Sequence, residues 1–377
     1  MNRGVRYIQD LWQTLLAKEQ QSSLKQRLIR GAAGTLGLRT AATGLNFITG
    51  ILLARLLGAS GFGIYTYAFT WTQLLSLGAT LGLDNLIVRE VAIYQSKSTW
   101  NLMRGLLRWA NQIVLVVSVG LALGAIGVAW GLNIQANSEQ FSTFCVAMLL
   151  IPIESLRNLR LAAMRGLHKI LIGLLPEWIL APLLLLVLSG FMYLLLGEGL
   201  TAVWIAVIRV FAAAITLVIG MRLLNKIMPN AAQEVAPQYQ VRTWLHSALP
   251  FMFMGSMYLI KSQTDLLMLG AIKGAEAVGI YFAVARGAQL IDFVTNAANT
   301  VLGPNIASLY AEGKPEQIEK ILIKSSRAVC LISLPIIVGL VGFGHWYLLL
   351  FGSEFTQGQN SLIILCVGQL VNVGTGS

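Results

Sequence analysis

The chain has 377 residues, of which 56% are hydrophobic and only 11% are charged, and its mean hydropathy is +0.71. Soluble globular domains carry roughly a quarter charged residues, so this composition excludes a soluble domain and indicates an integral membrane protein. The formal net charge of +11 does not indicate nucleic-acid binding, because the basic residues are spread over alternate loops.

Residues 1–31 precede the first apolar run and are too polar to contain the apolar core of a cleavable signal peptide. We therefore expect the first membrane helix to direct insertion. The apolar residues of this segment recur at helical spacing, which predicts an amphipathic helix on the inner leaflet, with a disordered tail as the alternative. They are Val5, Ile8, Leu11, Trp12, Leu15 and Leu16.

Ten apolar runs follow, each long enough to cross about 30 Å of hydrocarbon as a helix of roughly 20 residues. They cover residues 32–54, 63–87, 106–131, 141–160, 170–196, 200–221, 247–272, 278–303, 328–351 and 361–377. The fourth run is the weakest, because Glu154, Arg157 and Arg160 interrupt it. The tenth reaches Ser377 with no polar segment after it, so we expect the sequence to be truncated. The ten runs predict an all-α polytopic membrane protein.

Basic residues cluster before the first span and in the second, fourth, sixth and eighth connections, whereas the odd-numbered connections contain only Lys273. Because loops rich in Lys and Arg stay in the cytoplasm, this alternation predicts a cytoplasmic N-terminus. We interpret the loop charges as topology signals and contacts with lipid headgroups. In the second and fourth connections they are Arg89, Lys97, Arg104, Arg108, Arg157, Arg160, Arg165 and Lys169.

The sequence that connects the first two spans is repeated later in the chain. The stretch GASGFGIYTYAF, residues 58–69, returns as GAEAVGIYFAVA, residues 274–285, with five of the twelve positions identical at an offset of 216 residues. We name these stretches the first and second corner. Their glycines permit positive φ and close backbone approach, which a helix needs where it reverses within a few residues.

The same offset brings polar residues into register along the helix that follows each corner. Thr70 corresponds to Arg286, Gln73 to Gln289, Ser76 to Asp292, and Thr80 to Asn296. Spacings of three, three and four keep such residues on one helical face, and polar faces avoid lipid. The stripes predict one cavity shared by two homologous halves, with hydrogen bonding between helices as the alternative.

We therefore divide the chain into a cytoplasmic N-terminal segment (1–31), an N-terminal six-helix lobe (32–224), a cytoplasmic linker (225–244) and an incomplete C-terminal lobe (245–377). The expected architecture is two pseudo-symmetric helical lobes around a central cavity.

Charged residues at apparent membrane depth are costly and are candidate functional residues. Arg39 shares a helical face with Asn46, and together with Lys261 and Arg286 it brings positive charge toward the predicted cavity. A cationic cavity suits an anionic substrate, and guanidinium groups bind phosphate oxygens in a bidentate manner.

Several charged residues at apparent membrane depth have alternative interpretations. Lys261 and Asp265 are four residues apart and can form an intrahelical ion pair. Arg209 either satisfies backbone carbonyls or pairs with Glu177. Asp265 and Asp292 alternatively bind a coupling cation or proton.

Several kinds of site are not indicated. The sequence has no GxxxxGK[ST], GxGxxG after a strand, GxSxG or HExxH motif, which argues against bound nucleotide and against an enzyme. Its three cysteines are scattered and its three histidines are far apart, so neither a metal site nor a disulfide framework is predicted. We expect no cofactor.

The first corner with its preceding LLARLL, together with GLDNLIVREVA at residues 82–92, is similar to the N-terminal signature of the Wzx-type oligosaccharide flippases of the polysaccharide transporter family. The stretch PNIASLYAEGKPEQIEKILIKSSRAV (304–329) and the terminal GQLVNVGTGS resemble the second half of those proteins. The resemblance implies twelve or more helices in two lobes, of which about ten are present here. It also implies alternating access in the bacterial inner membrane and a substrate of oligosaccharide linked to undecaprenyl pyrophosphate. Membrane lipids and the polysaccharide polymerase machinery are the implied partners.

On this basis we assign hypothetical roles to the polar residues. Arg39 and Arg286 hold the pyrophosphate, with Lys261 as a weaker candidate. The sugar hydroxyls meet amide side chains, namely Asn46, Gln73, Gln289 and Asn296. The rival hypotheses are a multidrug cation antiporter of the same superfamily and a polytopic polymerase or glycosyltransferase.

Overall fold

The structure is a computed structural model that describes residues 24–131, 138–311 and 313–375. These residues form fourteen α-helices and no strand. The helices are α1 Leu24–Ala79, α2 Leu83–Ser96, α3 Trp100–Gly131, α4 Ser138–Met148, α5 Leu150–Gly166, α6 Ile170–Leu175, α7 Ala181–Leu196, α8 Ala202–Ile227, α9 Asn230–Glu234, α10 Val241–Lys273, α11 Ala275–Ala311, α12 Pro315–Gly342, α13 Gly344–Leu349 and α14 Gln359–Thr375. A π-helical turn, Pro176–Leu180, joins α6 to α7, and a 3-10 turn, Ser353–Gly358, precedes α14.

Nearly all described residues of the predicted spans are helical, which confirms the all-α prediction, although turns or bends at residues 80–82, 149 and 343 interrupt the second, fourth and ninth spans. By length and composition, six helical segments of the described chain can cross a membrane. They are Gly37–Ala79, Trp100–Gly131, Ile170–Leu196, Ala202–Ile227, Ala275–Thr295 and Pro315–Gly342. The predicted fourth span is divided between α4 and α5. The amphipathic helix predicted from Val5 to Leu16 lies outside the described residues.

Both corners have the same backbone conformation. Gly58, inside α1, has φ 66° and ψ 179°, and Gly274, between α10 and α11, has φ 85° and ψ −178°. Side chains other than glycine rarely adopt this positive φ, so the two glycines set the change of helix direction. The first predicted span and residues 63–79 of the second therefore lie in α1 on either side of Gly58, as the seventh and eighth lie on either side of Gly274, whereas residues 83–87 of the second span belong to α2.

The segment predicted as a linker packs along α3. The Gln238 amide donates to the Asn101 carbonyl at 3.0 Å, and the Asn101 side chain donates to Gln238 Oε1 at 2.8 Å. A Cβ atom at Gly105 would overlap the Gln238 carbonyl, so this close approach requires glycine.

The start of α10 is anchored against the N-terminal helices. Trp244 is 1% exposed, its indole donates to the Tyr94 hydroxyl at 3.0 Å, and its ring lies 5.4 Å from that of Trp109. Burial raises the pKa of Tyr94, so this phenol stays neutral at physiological pH and accepts the indole bond. The helix that enters the C-terminal half is thereby fixed to α2 and α3 at the end opposite the corners, which we call the basic end.

Candidate functional site

A cavity of about 390 Å³ lies between α1, α11 and the π-helical turn. Its polar lining brings together five residues that the sequence predicted as site residues. They are Arg39 and Asn46 of α1 and Arg286, Gln289 and Asp292 of α11. Thr43 and Trp178 complete the polar and aromatic walls, and the remaining lining residues are Ala42, Phe47, Leu290 and Phe293.

Helical periodicity explains why these side chains share a cavity. Arg39, Thr43 and Asn46 are spaced by four and three residues, and Arg286, Gln289 and Asp292 by three, so each set follows one face of its helix. The cavity residues of α11 begin 12 residues after Gly274, about 18 Å along the helix at 1.5 Å per residue. The cavity therefore lies about three helical turns away from the second corner.

Arg39 is half-buried, and its guanidinium has no hydrogen-bond or ion-pair partner in the part of the chain that the structure describes. Two neighbours bond to the helix backbone. Thr43 Oγ1 donates to the Arg39 carbonyl at 2.9 Å, and Asn46 Nδ2 donates to the Ala42 carbonyl at 2.8 Å. The Arg39 charge is consequently available to a ligand in the cavity.

Arg286 lines the cavity, and two neighbouring side chains fix its orientation. Its Nη1 donates to Gln289 Oε1 at 3.1 Å, and its guanidinium carbon lies 4.5 Å from the centre of the Phe282 ring. A cation over an aromatic face is stabilised while most of its N–H donors stay unused. Arg286 can therefore offer further hydrogen bonds without moving.

Asp292 is the single acidic residue among the described residues that line this cavity. Its Oδ2 accepts a hydrogen bond from Gln369 Nε2 of α14 at 3.2 Å. Two arginines and one aspartate leave the described lining with a net positive charge, which favours an anionic ligand.

Four other predicted site residues are not placed in this cavity. Gln73 Oε1 accepts from Gln263 Nε2 at 3.1 Å, and Asp265 Oδ2 accepts from the Tyr281 hydroxyl at 3.0 Å, nearer the second corner. The side chains of Lys261 and Asn296 lie outside the described residues. The Lys261–Asp265 ion pair therefore stays a prediction.

The polar residues that follow the two corners have different environments. Thr70, Ser76 and Thr80, which follow the first corner, are 1–4% exposed. Their hydroxyls donate to backbone carbonyls, and Ser155 of α5 donates to the Ser76 carbonyl at 3.0 Å. The expectation of two equivalent stripes lining one cavity is therefore wrong for these three residues. Their hydroxyls bond to carbonyls of α1, and only the Ser76 carbonyl takes part in the hydrogen bonding between helices that was the alternative.

Arg209 and Glu177 are not partners of each other. Arg209 Nη1 donates to the Tyr65 hydroxyl at 2.8 Å, and its guanidinium carbon lies 3.5 Å from the centre of the Phe69 ring. Glu177 instead pairs with Arg160. The charge of Arg209 also acts on Arg286, so it adds to the positive potential behind the cavity. Sequence reasoning identified Arg209 as deep, but a partner on another helix cannot be read from spacing.

The two corners contact each other where the N-terminal helices meet the C-terminal helices. A Cβ atom at Gly63 would overlap the Ala275 carbonyl, and one at Gly279, the equivalent position 216 residues later, would overlap the Ala59 carbonyl. We call this reciprocal contact the glycine seam. It joins the two halves on the side of the cavity nearer the corners.

Polar contacts reinforce the glycine seam from the residue after α13 and from the 3-10 turn. The Ala59 amide donates to Glu354 Oε2 at 2.7 Å, and Arg55 Nε donates to the Leu350 carbonyl at 2.7 Å. The Phe62 ring packs edge-on against Phe282 at a centroid distance of 5.7 Å. The halves are therefore held together at this face, which we call the corner face.

A helical bundle with repeated corners, a cationic cavity between its halves and several helices long enough to cross a membrane defines a multi-pass membrane protein. The family model described as "Polysaccharide biosynthesis protein" matches residues 28–310, more than half of the chain. The chain belongs to this family, which confirms the family resemblance read from the corners.

The chain is also similar to individual proteins. The chain is 23% identical over 339 residues to the "Succinoglycan biosynthesis transport protein ExoT" of Rhizobium meliloti (strain 1021), covering 88% of this chain and 64% of that relative. A solved multidrug resistance MATE family transporter of the MOP superfamily, inward-facing, superposes with a TM-score of 0.68 at 15% identity, covering 91% of this chain and 83% of that one. An outward-facing structure of a MATE family transporter superposes with a TM-score of 0.61 at 16% identity, covering 95% and 84%. These structural likenesses show the fold.

Proposed function

We propose that this protein flips an oligosaccharide linked to undecaprenyl pyrophosphate from the cytoplasmic to the outer leaflet of the bacterial inner membrane, for polysaccharide synthesis. The observation that carries the proposal is the pair of arginines, Arg39 and Arg286, that line one cavity from two different helices. The similarity to the succinoglycan transport protein of Rhizobium meliloti supports a polysaccharide pathway.

The pyrophosphate is the part of this substrate that hydrocarbon excludes, because an uncompensated charge is very costly in an apolar medium. Arg39 offers a guanidinium with no described partner, and Arg286 keeps most of its donors unused. Arginine binds phosphate through two parallel N–H bonds, so the two residues can hold the diphosphate while the polyprenyl tail stays in lipid.

The sugars require neutral donors and acceptors. Asn46 and Gln289 are exposed in the cavity and retain unused amide atoms after their bonds to Ala42 and Arg286. Gln73 would reach a sugar only after its bond to Gln263 opens. Asn296, one helical turn beyond Asp292, remains a hypothetical sugar contact.

Transport would proceed by alternating access. The glycine seam and the Glu354–Ala59 bond hold the halves together at the corner face. With the N-terminus in the cytoplasm, this is the outer face, and the cavity receives its substrate from the inner leaflet. Rocking of the halves then opens the seam and exposes the cavity outward. Asp292 is the candidate for a coupling cation or proton within the cavity, and Asp265 is the candidate nearer the corner face.

The test measures the leaflet distribution of radiolabelled lipid-linked oligosaccharide in a strain that lacks the gene. We expect accumulation on the cytoplasmic side, relief by the wild-type gene, and no relief by Arg286→Ala at equal expression. Arg222→Ala, which removes an exposed charge of α8 outside the cavity, is the matched control and should restore flipping.

Two results would contradict the proposal. Absence of accumulation in the null strain would remove the flippase function, and a gain of drug resistance on overexpression would then favour a multidrug antiporter. Normal flipping by both Arg286→Ala and Arg39→Ala would remove the pyrophosphate assignment but leave flipping intact.

A further inference from the structure

A second pocket, of about 340 Å³, lies within the N-terminal helices at the basic end. It is bounded by α3, α5, α8 and α9 and shares no lining residue with the cavity described above. Every charged residue that lines it, in the described part of the chain, is an arginine: Arg104, Arg108 and Arg160. Side-chain amides from Asn111, Asn225 and Gln233 supply further hydrogen-bonding groups.

Arg160 forms the floor of this pocket. It is 2% exposed, pairs with Glu177, and donates from Nη2 to the Gly173 carbonyl at 3.1 Å. Its Nε and Nη1 have no hydrogen-bond partner among the residues that the structure describes. A Cβ atom at Gly220 of α8 would overlap the guanidinium, so glycine makes room for it. Arg160 is therefore a buried residue of α5, and its assignment to a loop is wrong.

Arg104 and Arg108 form the mouth, one helical turn apart on the same face of α3. Arg104 Nη1 donates to the Val235 carbonyl at 2.5 Å, which fixes this side chain against the segment that follows α9. Arg108 is exposed. Since Glu177 neutralises only one of the three arginines, two positive charges stay close together without a counter-ion among the described lining residues.

Such an arrangement is unfavourable when empty and favourable around an anion. Arginine forks match phosphate oxygens, and basic pockets between membrane helices at the headgroup level hold phosphate-bearing headgroups. We propose that this pocket binds a phosphate group, carried either by the headgroup of an anionic lipid or by a small soluble molecule. The site is separate from the proposed transport cavity and does not depend on its function.

The test uses the purified full chain and two probes. Native mass spectrometry measures retention of phosphatidylglycerol, and isothermal titration measures binding of inorganic phosphate. Loss of one charge-assisted contact should weaken binding about tenfold. Arg108→Gln is the primary variant, because Arg108 is exposed and the variant should fold. Arg222→Gln removes an exposed arginine of the basic end that does not line the pocket, and should bind as wild type.

The outcomes separate the two sources. Phosphatidylglycerol retention that falls in Arg108→Gln but not in Arg222→Gln, without binding of inorganic phosphate, identifies a lipid headgroup. Binding of inorganic phosphate with the same dependence on Arg108 identifies a soluble ligand. The proposal is overturned if Arg108→Gln and Arg222→Gln retain both probes equally, or if neither probe binds to the wild-type protein.

Discussion

Two arginines that the sequence placed in apolar runs, Arg39 in the first and Arg160 in the fourth, have opposite environments. Arg160 is fully buried against Glu177, whereas Arg39 is half-buried in a cavity and has no partner among the described residues. Burial with a counter-ion indicates a structural charge, and a cationic side chain left unpaired in a cavity indicates a ligand. Spacing along the sequence could not distinguish them, because the partner of Arg160 is on another helix.

Replacing Glu177 by Gln is expected to lower the free energy of unfolding by about 3 kcal/mol, since Arg160 would remain buried without its counter-ion. The double variant Arg160→Met/Glu177→Met should recover much of this loss, because it removes both charges. Thermal unfolding in detergent measures both effects. Glu319→Gln, at an exposed position of α12, is the control, and an equal melting temperature for it and Glu177→Gln would contradict the expectation.

Replacing Arg39 by Lys tests whether the cavity needs a guanidinium or only a charge. A lysine keeps the positive charge but loses the planar pair of donors, so we expect flipping to fall roughly tenfold, and further in Arg39→Ala. Flipping in proteoliposomes gives the rates, with Arg222→Lys as the control. If Arg39→Lys matched the wild type and Arg39→Ala did not, charge alone would be sufficient; if both matched it, Arg39 would not contact the substrate.

At the scale of helices, the corners were predictable because glycine has a conformational meaning that sequence carries directly. The repeat of Gly58 at Gly274 predicted equal reversals, and both glycines have positive φ. The contact of Gly63 with Ala275 was not predictable, because it depends on how two distant hairpins approach. The same limit explains the polar stripes, since a Thr or Ser bonded to its own helix and one facing water look alike in sequence.

Replacing Gly63 by Ala is expected to separate the halves at the corner face, because the added methyl would overlap the Ala275 backbone. Backbone atoms cannot rotate away as a side chain can, so we expect a lower melting temperature and slower flipping. We expect the same two effects for Gly279→Ala. Gly78→Ala is the matched control in α1, where a Cβ meets nothing within 4 Å and alanine favours the helix by roughly 0.5–1 kcal/mol. A Gly63→Ala protein as stable and active as Gly78→Ala would show that the seam is not a tight contact.

For the whole molecule, composition and hydropathy were sufficient for the class of protein, and the duplicated corners predicted its two-part architecture. Both signals depend on properties that repeat along the chain, as does the helical register that placed Arg39 and Asn46, or Arg286 and Gln289, on common faces. Docking of Trp244 beside Trp109 and Tyr94 was not predicted, because packing between distant segments leaves no periodic pattern. The sequence therefore predicted which helix faces are polar. It predicted less well which of these faces contact each other.

If the cavity is accessible only from the cytoplasmic side, a residue that lines it should be labelled from that side alone. The background is a variant in which the natural Cys145, Cys330 and Cys366 are replaced, and Asn46→Cys is added to it. This cysteine should react with a membrane-impermeant maleimide in inside-out vesicles. It should not react in intact cells, because the glycine seam closes the corner face. Adding Gly63→Ala should raise labelling in intact cells, since the seam would no longer close. A cysteine at Ser353, exposed on the 3-10 turn of the corner face, should show the opposite sidedness and controls for orientation. Labelling of Asn46→Cys in intact cells as fast as Ser353→Cys would mean that the cavity opens outward at rest, and the proposed order of access would be reversed.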